Sequence, residues 1–145
     1  MSKIRSYREL EVWKISKNLV INIYKLTNCF PIEERFSLSD QMRRAAISIP
    51  SNIAEGQQRF SLKEYIRFLY ISKGSTAEIL TQLEIVRELY PDLNVETLLL
   101  EYNLLSRKLA NLITSLITVM ANNKTHHTTH QSQPNSFWEM GLFTV

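Results

Sequence analysis

Three histidines, one cysteine and two adjacent glutamates are the residues whose types could do chemistry. His126, His127 and His130 lie together near the C-terminal end. H-H-x-x-H can be drawn as a zinc or nickel site, but a structural zinc site needs about four ligands, and this stretch offers no cysteine or nearby carboxylate. It reads as a solvated polar segment, and no metal is expected. Cys29 precedes a Phe-Pro loop, and the predicted helices hold no histidine to activate it as a nucleophile. Gly56 and Gly74 stand alone, so there is no glycine-rich phosphate loop. Glu33 and Glu34 read as loop charges. The Glu-x-x-His signature of di-metal bundles is absent from the predicted helices. Neither an enzyme nor a cofactor is expected.

Basic residues are the stronger lead. Residues 1–75 hold 13 Lys and Arg against 7 Asp and Glu, a net charge of +6; residues 76–145 hold 4 against 7, a net of −3. At helical spacing Lys14, Lys17 or Asn18, Ile21 and Lys25 share one surface stripe, and Lys63, Arg67, Tyr70 and Gly74 share another. Arg59 precedes the second stripe, and Arg43 and Arg44 stand together upstream. Phosphate contacts from Arg43, Arg44, Arg59, Lys63 and Arg67, with Tyr70 for base stacking, would suit nucleic acid. Charge by itself favours the plainer alternative, an ordinary solvated face interleaved with Glu9, Glu11 and Glu64.

Such side chains need elements to carry them, and apolar residues recur at three- and four-residue steps in four segments. The first, Tyr7 to Thr27, carries Val12, Leu19, Ile23 and Leu26 on one stripe, beside Trp13, Val20 and Tyr24. The second begins near Ser37, where S-L-S-D looks like a capping box, and stops at Gly56. The third opens with S-L-K-E at Ser61 and runs through Leu89. Its stripe comprises Tyr65, Phe68, Leu69, Ser72, Thr76, Ile79, Leu83 and Val86. The fourth is capped at Asn94 and carries Leu98, Tyr102, Leu105, Leu109, Leu112, Leu116 and Met120. The expected fold is all-α, an antiparallel up-and-down four-helix bundle over residues 1–121. Residues 122–145 read as a polar, disordered C-terminal tail with Phe137, Trp138 and Leu142 as a short docking element. The apolar run 109–121 falls short of the roughly 20 residues of a membrane span. The N-terminus shows no secretory signal and the single cysteine suits a reducing compartment. A cytoplasmic protein with no membrane partner is expected.

The stretch QMRRAAISIPSNIAEG (41–56) is unusual because Pro50 lies inside a helical pattern, at a cost of about 3 kcal/mol. Leu38, Met42, Ala45, Ile49 and Ile53 form its core side. Ile47, Pro50 and Ala54, flanked by Arg43, form a second apolar strip. Two apolar faces predict a second partner for the outer strip, another subunit, and Leu62, Ile66 and Leu80 repeat the hint on the third helix. Ser48 or Ser51 is expected to satisfy the Ala46 carbonyl that Pro50 frees.

QMRRAAISIPSNIAEG followed by SLKEYIRFLYISKGSTAE (61–78), with YRELEVWK (7–14) and IYKLTNCFPIEE (23–34) before them, resembles the four-helix bundle proteins encoded in intervening sequences of bacterial 23S rRNA genes. The resemblance spans about residues 5 to 118. It implies an up-and-down bundle that assembles into a ring-like homopentamer with a basic surface. It also implies kinship with the accessory variability proteins of diversity-generating retroelements, which bind nucleic acid and partner a reverse transcriptase. Arg43, Arg44, Asn52, Glu55 and Gly56 match motif positions, and Ser72 stands where much of the family has alanine. The expected function is a non-catalytic oligomer that binds nucleic acid, RNA before DNA. The alternative is a self-associating scaffold, with a reverse transcriptase as a further partner, whose arginines serve subunit interfaces, for example Arg44 to Glu55 of a neighbour.

Overall fold

The computed structural model describes residues 6–126. They form α1 (Glu11–Thr27), α2 (Leu38–Gln57), α3 (Leu62–Leu89) and α4 (Glu96–His126), with single 3-10 turns at Tyr7–Glu9 and Ile32–Glu34. No strand occurs among the described residues. Each helix packs on its sequence neighbours and α1 closes the ring against α4, so the up-and-down four-helix bundle is the fold. The expected stripes are the buried ones: Ile23, Met42, Ile49, Ile53, Tyr65, Leu69, Ile79, Leu83, Tyr102, Leu105 and Leu109 are fully enclosed. Burial of such side chains, about 1.5–3 kcal/mol each, is what converts amphipathic segments into a bundle.

Several local expectations are corrected. The first segment is broken at Leu10, whose extended backbone separates the Tyr7–Glu9 turn from α1 and lets its side chain enter the core. Ser37 does not form a capping box. Its hydroxyl turns back to the Glu34 carboxylate (2.5 Å) and makes no cap bond, and Glu34 itself accepts from the first helical amide, that of Leu38 (3.4 Å). Glu34 also accepts from the Tyr90 hydroxyl (2.7 Å), tying the α1–α2 loop to the end of α3. These donors, Ser37 foremost, hold the Glu34 carboxyl below its ordinary range. Ser61, in contrast, does cap α3, accepting from the Glu64 amide. Asn94 accepts from the Glu96 amide one position before the cap itself. Ile66 is buried, and Leu62 and Leu80 are partly buried against the core, because α3 is flanked by both α2 and α4.

Helix α4 continues to His126, past the residue-121 boundary read from periodicity, and so brings one histidine into a helix. Read as one continuous helix it is long and apolar enough to cross a membrane, where the run 109–121 alone falls short. Leu105, Leu109, Leu112 and Leu116 are, however, turned into the bundle. The proposed tail from residue 127, with His127, His130, Phe137, Trp138 and Leu142, lies outside the described residues.

Pro50 sits within an unbroken α2. Side chains brace the turn around it. Ser48 bonds the Ala45 carbonyl (3.0 Å), not that of Ala46 as expected, and pairs with the Ser75 hydroxyl on α3 (2.5 Å). Asn52 Nδ2 donates to the Ser48 carbonyl (2.7 Å). The buried Ser72 hydroxyl donates across the interface to the Ile49 carbonyl (2.9 Å). Proline removes the amide that would bond the Ala46 carbonyl, and these groups brace the carbonyls around it, those of Ala45, Ser48 and Ile49, without reaching Ala46 itself.

Gly56 is not a C-terminal stop. It lies inside α2 without a left-handed backbone, and a Cβ there would stand 2.6 Å from Phe68 Cβ and 3.1 Å from Tyr65 Cδ2. Its task is to let α2 and α3 approach closely. Helix propensity would favour Gly56→Ala by about 0.5–1 kcal/mol, but Phe68 Cβ is fixed to backbone and cannot swing away. Overpacking of about 1–3 kcal/mol should win. Gly56→Ala is therefore expected to lower the urea unfolding midpoint; an equal or higher midpoint would refute the close-approach explanation.

Candidate nucleic-acid interface

The five basic residues singled out from the sequence fall into two groups toward opposite ends of α2. Arg43 and Arg44 lie in its first turns and Arg59 just beyond its last residue, about 24 Å apart at 1.5 Å per residue. They do not form one site.

Adjacent in sequence, Arg43 and Arg44 point differently because each helical step turns 100°. Arg43 is half-buried against α1. Its Nε donates to Thr27 Oγ1 and its Nη2 to Asn28 Oδ1, both at 2.8 Å, and its guanidinium lies 4.6 Å from the Tyr24 ring. Thr27 in turn donates to the Ile23 carbonyl, which orients its lone pair toward Arg43. Arg44 projects outward, its side chain 79% exposed, and pairs with Asp40 one turn earlier (3.0 Å).

The second group converges where α2 hands over to α3. Arg59 pairs with Glu55 (2.6 Å) and Arg67 with both oxygens of Glu64 (3.3 and 3.1 Å). Their guanidinium groups lie 5.0 and 4.7 Å from the same Phe68 ring. The hydrogen bond from Arg67 is the main reason the Glu64 carboxyl is held below its ordinary range. Lys63 is exposed and has no ion-pair partner among the described residues. Phe60 in the connecting turn is 88% exposed, and Tyr70 is exposed one turn beyond Arg67. Of the expected binding set, Arg59, Lys63 and Arg67 are thus together, with aromatic rings beside them, while Arg43 and Arg44 belong elsewhere.

The apolar strip is also mixed. Pro50 and Ala54 are half-buried within the chain and Ile47 is 42% exposed. The Arg43–Tyr24 contact sets the antiparallel register of α1 and α2. Ile21, one turn before Tyr24 on α1, and Ile47, one turn after Arg43 on α2, lie on the same side of that contact, and with Tyr24 they are exposed apolar side chains. Glu55 is engaged by Arg59 and Arg44 by Asp40, within one chain. Asn52 acts locally on the Ser48 carbonyl.

No group of three or more His, Cys, Asp or Glu able to hold a metal occurs among the described residues. Sequence reading missed Arg35, which lies beside Arg43 on the wall of a cleft at the α1–α2 loop. Its charge is hidden in a count because Glu33 and Glu34 precede it, and no spacing rule brings a loop residue next to Arg43.

The two neighbouring arginines should separate in an unfolding experiment. Arg43→Ala removes charge-assisted hydrogen bonds and is expected to cost about 1.5–3 kcal/mol, whereas the exposed Arg44→Ala should stay within about 0.5 kcal/mol of the parent. Equal losses in chemical denaturation would contradict the division.

A scan against models of protein families matches residues 8–111 to the 23S rRNA-intervening sequence protein family. A search of curated proteins finds no match. The matched span is most of the chain. It runs from the 3-10 turn before α1 into α4 and includes both arginine groups and the Gly56 crossing. The chain therefore belongs to the 23S rRNA-intervening sequence protein family.

Proposed function

We propose that the protein is a non-catalytic, cytoplasmic homo-oligomer that holds nucleic-acid backbone, RNA before DNA, on the corner formed by Arg59, Lys63 and Arg67. The observation that carries this reading is the convergence of these cations beside the exposed Phe60 and Tyr70. The carboxylates already paired there do not oppose it, since exposed ion pairs are worth at most about 1 kcal/mol and a phosphate oxygen can take the place of Glu55 or Glu64. Stacking on Phe60 or Tyr70 favours unpaired bases over a closed duplex. The family resemblance supports a ring of five, in which repeated corners would multiply a weak single contact on a long polyanion. Kinship to retroelement accessory proteins, with a reverse transcriptase as partner, rests on that resemblance alone.

Binding should be weakly sequence-specific and strongly salt-dependent, the logarithm of affinity falling with log salt by about 0.7–0.9 per phosphate contacted. The double substitution Lys63→Glu with Arg67→Glu should abolish binding of structured RNA at low salt while circular dichroism stays helical. Absence of binding by the parent, or unchanged binding by the variant, would overturn the reading.

A second reading, a self-associating scaffold, is favoured by the exposed apolar side chains of Ile21, Tyr24 and Ile47, together with the half-buried Pro50 and Ala54. Exposed apolar surface grouped in this way marks interaction sites. Because Ile47 is already partly in solvent, Ile47→Asp should leave the protomer folded and lower the mass measured by light scattering. An unchanged oligomer would place the subunit contact elsewhere.

A further inference from the structure

Where α1 hands over to α2 lies an open cleft of about 330 Å³, at the small end of the roughly 300–1,000 Å³ of ligand sites. Two guanidinium groups, Arg35 and Arg43, line it, and no carboxylate does. Arg43 is held in place by Thr27, Asn28 and the Tyr24 ring through Nε and one Nη2 donor, which leaves the Nη1 donors uncommitted among the described residues. Arg35 lies against the Phe36 ring and has no ion-pair partner among the described residues.

Ser39 is the decisive residue. It lines the same cleft and is only 4% exposed, yet its hydroxyl has no hydrogen-bond partner among the described residues. The hydroxyl itself is not sealed from solvent: it opens onto the cleft, where it can donate to an acceptor. Ser39 is the second residue of a 20-residue helix whose first amide, that of Leu38, donates to the Glu34 carboxylate (3.4 Å), the group to which Ser37 also turns. The amides that follow in the first turn lie at the positive pole of the helix.

The cleft therefore offers two cationic guanidinium groups and one unpartnered hydroxyl, with no carboxylate on its wall. A group with several acceptor oxygens and more than one negative charge complements it, and a phosphate has both where a carboxylate has two oxygens and one charge. We propose that this cleft binds a terminal phosphate, as the free ion or as a phosphomonoester. It is separate from the Arg59–Lys63–Arg67 corner and does not depend on what that corner binds.

The test uses the full chain at constant ionic strength, following amide resonances of Asn28 and Ser39. Three probes are titrated in turn: inorganic phosphate, a short RNA carrying a 5′-phosphate, and the same RNA with a 5′-hydroxyl. Inorganic phosphate should shift these resonances and an equal charge of chloride should not. Arg35→Ala and Ser39→Ala, neither of which removes a bond holding the bundle, should each weaken phosphate binding about tenfold. Preference for the 5′-phosphorylated RNA over its hydroxyl twin identifies a phosphomonoester as the ligand. Equal binding of the two RNAs alongside a response to inorganic phosphate identifies the free ion. No response to either phosphate probe, or a response undiminished in Arg35→Ala, overturns the proposal. The Lys63→Glu, Arg67→Glu protein should still respond to phosphate, so failure of the cleft and failure of the corner are read separately.

Discussion

The close crossing of α2 on α3 is the constraint on which the rest of the bundle depends. At Gly56 the two backbones approach until a single methyl group would meet Phe68 Cβ at 2.6 Å. Farther back, the same interface is spanned by Ser72 bonding the Ile49 carbonyl and by Ser48 meeting Ser75. Small residues and hydroxyls thus occupy positions where larger apolar side chains would hold the helices apart. Two consequences follow in space. Phe68, pressed against Gly56, becomes the ring that both Arg59 and Arg67 flank. Ser72 also reaches the carbonyl of Ile49, the residue before Pro50, so the neighbouring helix braces α2 beside the proline. Ser72 makes sense in this light, since an alanine there would keep the close packing but leave the Ile49 carbonyl without that bond.

The roles of neighbouring charges in this chain divide by depth. Arg43 and Arg44 are identical neighbours in one motif, yet Arg43 spends two donors and its planar face on α1. Arg44 meets only a carboxylate one turn away in solvent. Desolvated, geometrically fixed hydrogen bonds to an ionised group are worth more than an exposed i,i+4 pair by roughly 1–2 kcal/mol. Arg43 therefore belongs first to the fold, and only its uncommitted Nη1 edge is left for a ligand. The α2–α3 corner is the reverse case, where every pair is exposed and exchangeable.

Helical spacing made the core legible, because 3.6-residue periodicity and burial are two views of the same geometry. Ile23, Met42, Leu69 and Leu105 could hardly point elsewhere once the segments were helical. What spacing could not show was anything that depends on a partner distant in sequence. Gly56 looked like a helix stop because its close neighbours Tyr65 and Phe68 belong to the next helix. Ser37 looked like a cap because its true partner, Glu34, is itself held by Tyr90, 56 residues downstream. Leu62, Ile66 and Leu80 looked surplus because a stripe calculation allows one partner helix, and α3 has two. The basic corner was half legible: Lys63 and Arg67 share a helical face, but the ring that organises Arg59 with Arg67 is a core residue. Arg35 and Ser39 gave no signal, since a cleft at a loop is made by the turn of the chain and not by any period within it.

The two ends of α2 meet opposite demands with the same residue type. At its start, Ser37 bonds Glu34 instead of capping the helix, and Glu34, itself fixed by Tyr90, takes only the first amide, that of Leu38. A carboxylate already shared by Ser37 and Tyr90 serves one helix amide and leaves the next ones of the turn without a side-chain acceptor among the described residues. At its end, the helix needs no glycine stop, because the Arg59 amide bonds the Gly56 carbonyl and the Gln58 amide shares those of Ala54 and Glu55. Donors are therefore in surplus at the start of α2 and matched at its end. The arginine that faces the surplus is immobilised, while those beyond the matched end are free to exchange partners. A helix end with unspent donors and a fixed cation is preorganised for one small anion, whereas a corner of mobile cations beside exposed rings suits a long and variable one.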